Sequence, residues 1–213
     1  MTKLKDFWYH FKYGFYVMTH PFDGFYDLKH EHRGSLSAAH VNVLLLIIIS
    51  ILKRQVTAFI FNPNDPMLFN PIAELGNAFV PFILWCVSNW CFTTLMNGEG
   101  TFKDVYIASA YALVPFNILN AINIVVSYAL TEETGALYSL INAAAIIWLG
   151  ILLFFGLIVT HQYTFGKGLI TGLLTIAGIL VMIYLGLMFC KVVNNIVSFI
   201  SSLVYEFRLR FML

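Results

Sequence analysis

Charged residues are scarce in this sequence. Only 11% of its 213 residues are Asp, Glu, Lys or Arg and 60% are hydrophobic, whereas an average soluble domain has roughly 25% charged and 45–50% apolar residues. So few charges cannot form a hydrated shell around a soluble core. The net charge of +1, with no extended patch of Lys and Arg, also lacks the footprint of a nucleic-acid-binding protein. The composition excludes a soluble globular protein and predicts no nucleic-acid partner.

Recognisable catalytic groups are missing as well. The sequence has no His-Glu-x-x-His pair and no Gly-x-Ser motif, and its long apolar stretches hold no carboxylate for proton or ion transfer. Its three cysteines lie in or at the end of those stretches (Cys86, Cys91 and Cys190), where cysteine is typically a small packing residue. We therefore predict no enzyme activity, no cofactor and no metal ion.

Long uncharged windows dominate what is present. Five of them lack Asp, Glu, Lys and Arg: 34–52, 75–98, 105–131, 134–166 and 168–190. Each can hold the roughly 20-residue helix that crosses a bilayer, and none shows the period-two alternation of a membrane strand. We predict an all-α integral membrane protein, a bundle with spans one to five at about 35–52, 78–96, 106–130, 138–160 and 169–190 and with amphipathic helices at both ends.

The first of three predicted regions, residues 1–34, is an amphipathic N-terminal segment without the apolar core of a signal peptide. Its first helix places its apolar residues within about a 100° arc, which favours an interfacial helix that floats among headgroups or docks on the bundle; these are Phe7, Trp8, Phe11, Phe15 and Met18. Pro21 suits the first turn of a second helix. The predicted cytoplasmic interfacial residues are Pro21, Asp23, Gly24, Phe25 and Tyr26.

Four ionisable residues of this second helix would share one face: His20, Asp23, Asp27 and His30. A metal site is one interpretation of that face. A solvated helix surface is favoured, because no second motif completes a ligand set.

The second region, 35–193, is the membrane domain, and its packing centre is predicted in spans three and five. Span three contains Pro115, which frees a backbone carbonyl and kinks a helix, followed at intervals of three by Asn117, Asn120 and Asn123. These amides either hold helices together or line a ligand path or a groove for a partner. Span five has the small-residue pair Gly168 and Gly172, which permits close helix contact or contact with a partner.

The third region, 194–213, is predicted as a C-terminal amphipathic helix that lies on the membrane or extends onto a partner. Its apolar stripe consists of Ile196, Ile200, Leu203, Val204, Phe207 and Phe211. Lys and Arg remain preferentially in cytoplasmic loops. We therefore predict a cytoplasmic N-terminus and an extracytoplasmic C-terminus. In this orientation seven basic residues lie on the cytoplasmic side: Lys3, Lys5, Lys12, Lys29, Arg33, Lys103 and Lys167.

The order of features resembles the Yip family of Rab-interacting membrane proteins, in its bacterial form. The resemblance rests on residues 20–26 (His-Pro-Phe-Asp-Gly-Phe-Tyr), on 98–103 (Gly-Glu-Gly-Thr-Phe-Lys) leading into the small-residue run that ends at Pro115, and on Trp148, His161 and Lys167. Eukaryotic members carry a longer N-terminal segment with an Asp-Leu-Tyr-Gly-Pro motif, of which this chain has only Tyr26-Asp27-Leu28. Rab binding is therefore not carried over.

The resemblance implies a bacterial cytoplasmic membrane protein that serves as an accessory or scaffold subunit, with membrane lipids and an integral membrane complex as partners. ATP-binding-cassette transporter subunits are one implied partner and a second copy of the chain is another. The competing hypothesis is a channel or permease-like subunit for a neutral solute or lipid, lined by the asparagines of span three. A membrane-shaping role is the third.

Overall fold

Seven α-helices account for most of the residues that the structure describes. The computed structural model describes residues 2–62 and 69–211, with side chains from Lys5 onward. The helices are α1 (Thr2–Thr19), α2 (Pro21–His30), α3 (Leu36–Val56), α4 (Pro71–Leu95), α5 (Phe102–Val126), α6 (Gly135–His161) and α7 (Phe165–Phe211), and short 3₁₀ turns lie at Phe59–Phe61 and Glu132–Thr134. The described residues contain no β-strand.

The five spans are confirmed. Helices α3 to α7 are all long and apolar enough to cross a membrane, so the protein is an all-α, multi-pass membrane protein. Two compact units divide the chain, Met1–Thr175 and Ile176–Leu213. The first therefore contains the two N-terminal helices, spans one to four and the beginning of α7.

Capping residues set several helix boundaries. Ser35 begins α3 as predicted, since its hydroxyl accepts a hydrogen bond from the Ala38 amide at 3.2 Å. Asn70 caps α4 and Pro71 occupies its first turn. Thr101 and Asp104 form a reciprocal capping box at the start of α5. Residues 63–68, between α3 and α4, lie outside the described residues.

The helices are longer than the uncharged windows. Helix α3 continues to Val56 and therefore includes Lys53 and Arg54, and α4 begins at Pro71 and includes Glu74. Charged residues just outside the uncharged windows thus belong to the ends of membrane helices. Likewise, α7 continues without a break through the predicted boundary at 193/194.

Helix α5 is the buried centre of the first unit. In its apolar 18-residue window 61% of the residues are buried, against 28% in α3 and in α4 and 33% in α6. The helix continues through the buried Pro115. Its first half is rich in alanine, and small side chains let neighbouring helices approach closely.

The N-terminal helices are docked on the bundle. A methyl group added at Gly14 of α1 would lie 2.9 Å from Val114 Cγ2 of α5. The buried face of α1 follows Tyr13, Gly14 and Val17, whereas Trp8 and Phe15 of the predicted stripe are half exposed. The predicted apolar stripe is therefore only partly the docked face, and its remaining rings point away from the protein core.

Candidate functional site

The asparagines of span three connect α5 to its neighbours. Asn117 Nδ2 donates to the Asn42 carbonyl of α3 at 3.0 Å, and Asn123 Nδ2 donates to the Tyr138 carbonyl of α6 at 3.2 Å. Both asparagines are buried. These contacts are helix-to-helix hydrogen bonds of the kind expected for packing residues.

The middle asparagine has a different role, because it accepts a hydrogen bond from a charged residue. Asn120 Nδ2 donates to the Phe116 carbonyl of its own helix at 2.8 Å. Asn120 Oδ1 accepts from Lys53 Nζ at 2.7 Å, and Asn142 Oδ1 of α6 accepts from the same ammonium at 2.7 Å. Lys53 follows the last apolar residue of span one, yet its ammonium binds groups on two other helices. It links α3, α5 and α6.

The depth of this ammonium makes it notable. Helix α5 has 25 residues, about 38 Å at 1.5 Å per residue, and Asn120 lies roughly 9 Å from its C-terminal end. If α5 is centred across about 30 Å of hydrocarbon and runs along the membrane normal, the Lys53 ammonium would lie roughly 5 Å inside the hydrocarbon boundary. Ionisable groups at such depth are costly and mark functional sites by default. Sequence reasoning missed this residue because Lys53 follows the last apolar residue of its window.

The predicted interfacial segment of α2 combines buried anchors with an exposed surface. Pro21 occupies the first turn. A methyl group on Gly24 would lie 2.8 Å from Val17 Cα, so this glycine lets α2 contact the backbone of α1. Phe25 is 1% exposed and packs against Gly156 of α6. Asp23 and Tyr26 are exposed.

Three of the four candidate metal ligands of this region have other partners, and Asp23 is exposed. Asp27 Oδ2 accepts from the Tyr13 hydroxyl at 2.7 Å and lies 3.4 Å from Arg33 Nη1. His20 contacts Thr19 and His30 contacts Gln162. Within residues 2–62 and 69–211, no group of three or more His, Cys, Asp or Glu side chains is arranged to hold a metal ion. Burial raises the pKa of Tyr13, and its hydrogen bond to Asp27 adds to that increase.

Two motifs that lie far apart in the sequence meet at the end of α6. A methyl group at Gly98 would lie 2.5 Å from His161 Nδ1, and one at Gly100 would lie 2.6 Å from His161 Cε1. The Gly100 amide donates to His161 Nδ1 at 3.2 Å, so a neutral imidazole carries its hydrogen on Nε2. The Tyr163 hydroxyl donates to the Thr93 carbonyl at 3.1 Å. We name this arrangement the glycine–histidine seat; it fixes the α4–α5 connection onto α6.

Most of these residues lie in a region that matches a known protein family. The family model of the Yip1 domain matches residues 15–189. The chain belongs to the Yip1 domain family. No curated protein and no solved structure matches the chain. The match covers α2 to α6, the glycine–histidine seat and the uncharged part of α7, and it ends just before Lys191.

Within the Yip1 domain, the two glycines of the predicted Gly168–Gly172 pair differ in how closely other helices approach them. A methyl group at Gly168 would lie 2.5 Å from Ile158 Cγ1, so α7 begins in close contact with α6. A methyl group at Gly172 would meet nothing within 4 Å. The first turns of α7 are also held by the Ser88 hydroxyl, which donates to the Thr175 carbonyl at 2.7 Å.

The second unit consists of the rest of α7. Its residues from 183 to 211 are all exposed. The chain is helical through Lys191 and onward to Phe211, and the predicted C-terminal stripe therefore lies on an extension of span five. The rings of Phe207 and Phe211 stack with centroids 4.6 Å apart. We name residues 192–211 the α7 extension; they lie beyond the part of the chain that the Yip1 model matches.

Proposed function

We propose that this Yip1-domain protein is a non-enzymatic accessory or scaffold subunit that binds another integral membrane complex. The observation that carries the proposal is the α7 extension, an uninterrupted continuation of a membrane span with an exposed apolar stripe. The family resemblance favours ATP-binding-cassette transporter subunits as the partner. We further propose a bacterial cytoplasmic membrane as the location, with the N-terminus cytoplasmic and the C-terminus extracytoplasmic.

Helix length supports this proposal. Helix α7 has 47 residues, whereas about 20 suffice to cross the hydrocarbon. The α7 extension lies beyond the charged Lys191, and its side chains include Ile196, Ile200, Leu203 and Phe207, all exposed by about half or more. Burial of such a side chain contributes about 2 kcal/mol. Four of them on one face form an apolar surface whose burial would stabilise a complex with a membrane partner.

The hydrogen bonding of span three favours packing over a solute path. Asn117 and Asn123 donate to backbone carbonyls of neighbouring helices, and Asn120 accepts from Lys53. A channel for neutral solutes would need these amides to face the permeating molecule. Their engagement with protein groups makes the channel or permease hypothesis the weaker of the two.

The test is co-purification of the full chain from its native membrane in mild detergent. We expect one integral membrane partner in stoichiometric amount. The double variant Ile200→Lys/Leu203→Lys interrupts the stripe and should release that partner. The matched control Ser198→Lys/Ser202→Lys adds the same charge on the opposite face of the helix and should retain it.

Three outcomes would contradict the proposal. The chain would be isolated repeatedly without a partner, the recovered partner would be only a second copy of the chain, or both double variants would lose the partner equally.

A further inference from the structure

A polar cavity opens where α3 ends. Its volume is about 260 Å³ and its lining includes Ser50, Lys53, Arg54, Glu74, Asn77 and Tyr138. We propose that this cavity is a binding site for a phosphate group, presented by the headgroup of a membrane lipid. The site is independent of the α7 extension, on which the proposed adaptor function rests.

The charge of the lining favours an anion. Lys53 and Arg54 face one carboxylate, that of Glu74, so the described lining residues have a net charge of +1. Arg54 Nε lies 3.0 Å from Glu74 Oε1. A guanidinium has five N–H groups in a planar fork, and the two terminal amino groups suit a phosphate oxygen pair.

Lys53 is held by neutral hydrogen-bond acceptors. Its two hydrogen-bond acceptors are the amide oxygens of Asn120 and Asn142, which are neutral. Among the described residues, Lys53 forms no ion pair. Because low-dielectric surroundings strengthen electrostatic attraction, a bound anion nearby would offset a charge that the protein leaves uncompensated.

The size and depth of the cavity favour a headgroup phosphate. A volume of about 260 Å³ exceeds the roughly 30 Å³ of one water molecule but is below the roughly 300–1,000 Å³ of pockets that enclose a whole organic ligand. The cavity adjoins Lys53, which lies three residues before the C-terminal end of the membrane helix α3 at Val56. The ends of membrane helices lie near the level of the lipid headgroups and their phosphates. Ser50, Asn77 and Tyr138 supply neutral hydrogen-bond donors around the same space.

The experiment uses the delipidated full chain in mild detergent and measures affinity by native mass spectrometry and by the shift in Tm. The probes are short-chain phosphatidylglycerol, inorganic phosphate, and a diacylglycerol with the same tails but no phosphate. We expect phosphatidylglycerol to bind and to raise Tm. Diacylglycerol should do neither.

Two variants and one control define the site. Arg54→Gln should weaken phosphatidylglycerol binding about tenfold or more, since it removes charge-assisted hydrogen bonds. Glu74→Gln should strengthen it several-fold, because the competing carboxylate charge is lost while an amide remains beside Arg54. Lys103→Gln removes one charge from an exposed residue at the start of α5, at the opposite end of the bundle, and should leave affinity within about twofold.

Each outcome bears on the proposal. Loss of binding in Arg54→Gln but not in Lys103→Gln supports it, and so does displacement of the lipid by inorganic phosphate, which would identify a soluble anion as a second source. Equal loss in both variants, or diacylglycerol binding as tight as that of phosphatidylglycerol, overturns it. If Arg54→Gln does not fold, weaker binding in Glu74→Gln overturns the proposal and tighter binding supports it.

Discussion

The two ends of the helical bundle are built differently. At one end, the glycine–histidine seat and the docked helices α1 and α2 fill the space so completely that one gap, lined by His161 and Asn89 among others, measures only about 10 Å³. At the other end, the described residues surround a cavity of about 260 Å³ with a lysine, an arginine and a glutamate. Close packing of side chains fills the first end, whereas hydrogen bonds and an ion pair hold the second end together. Substitutions that change volume should therefore act at the first end, and substitutions that change polarity should act at the second.

The largest effect is expected at the glycine–histidine seat. Gly98→Ala would place a methyl group 2.5 Å from His161 Nδ1 and 2.6 Å from the Tyr163 hydroxyl. We expect a loss of about 3 kcal/mol in the free energy of unfolding, at the upper end of overpacking effects. Thermal unfolding in detergent measures it.

Gly150→Ala is the matched control for this substitution. A methyl group there would meet nothing within 4 Å, and alanine favours the helix by up to about 1 kcal/mol. Its Tm should remain unchanged or rise. A similar loss in both variants would mean that the response does not come from the space around His161.

The next effect concerns the attachment of α1. Gly24→Ala would place a methyl group 2.8 Å from Val17 Cα. Because a backbone atom cannot move aside as a flexible side chain can, α1 and α2 must separate, at a cost of about 2 kcal/mol. Hydrogen exchange should become faster in α1 while α5 retains its protection. Unchanged exchange in α1 would show that the close approach of Gly24 is not needed for docking.

At the polar end, the three asparagines should respond in a definite order. Asn120→Leu removes one of two acceptors from the Lys53 ammonium and should cost about 1–3 kcal/mol. Asn117→Leu and Asn123→Leu each remove one interhelical hydrogen bond, worth about 0.6 kcal/mol in a membrane protein. Measuring the free energy of unfolding in detergent ranks the losses of stability in the three variants. Equal losses at all three positions would argue against a special role for the lysine contact.

The smallest effect is a pH dependence at the docked helices. Burial raises the pKa of Tyr13, with a further contribution from Asp27, so the folded state favours the neutral phenol. Its stabilising contribution is complete below the ordinary pKa of about 10 and is lost as pH rises above it. Tyr13→Phe should therefore show a shallower loss of stability above pH 10. The same slope in wild type and variant would exclude Tyr13 as the titrating group.

Sequence patterns predicted the membrane helices but not the ends of those helices. The uncharged windows predicted all five spans, because a charge inside hydrocarbon is costly. Lys53 and Glu74 lie just outside the uncharged windows, although both belong to helices. A charge with suitable partners is tolerated inside a membrane helix. The two partners of Lys53 are Asn120 and Asn142, and only the tertiary structure shows that they lie next to it.

The contacts of the N-terminal helices show a second limit. The helical arc grouped Trp8 and Phe15 with Phe11, yet the first two are half exposed. Lipid tails and protein cores are similarly apolar, so periodicity cannot separate a face that meets lipid from one that meets protein. The meeting of Gly98 and Gly100 with His161 likewise needs the tertiary structure, although both motifs carried the family resemblance.

The contact of Lys53 with two later helices bears on how the chain is assembled during synthesis. Asn120 follows Lys53 by 67 residues and Asn142 by 89, so at translation rates of about 5–20 residues per second the second acceptor is made roughly 4–18 s after the lysine. Until Asn120 is made, the ammonium has neither acceptor, and until Asn142 is made it has one at most. A lysine in the first span thus completes its hydrogen bonds only after the fourth span has been made.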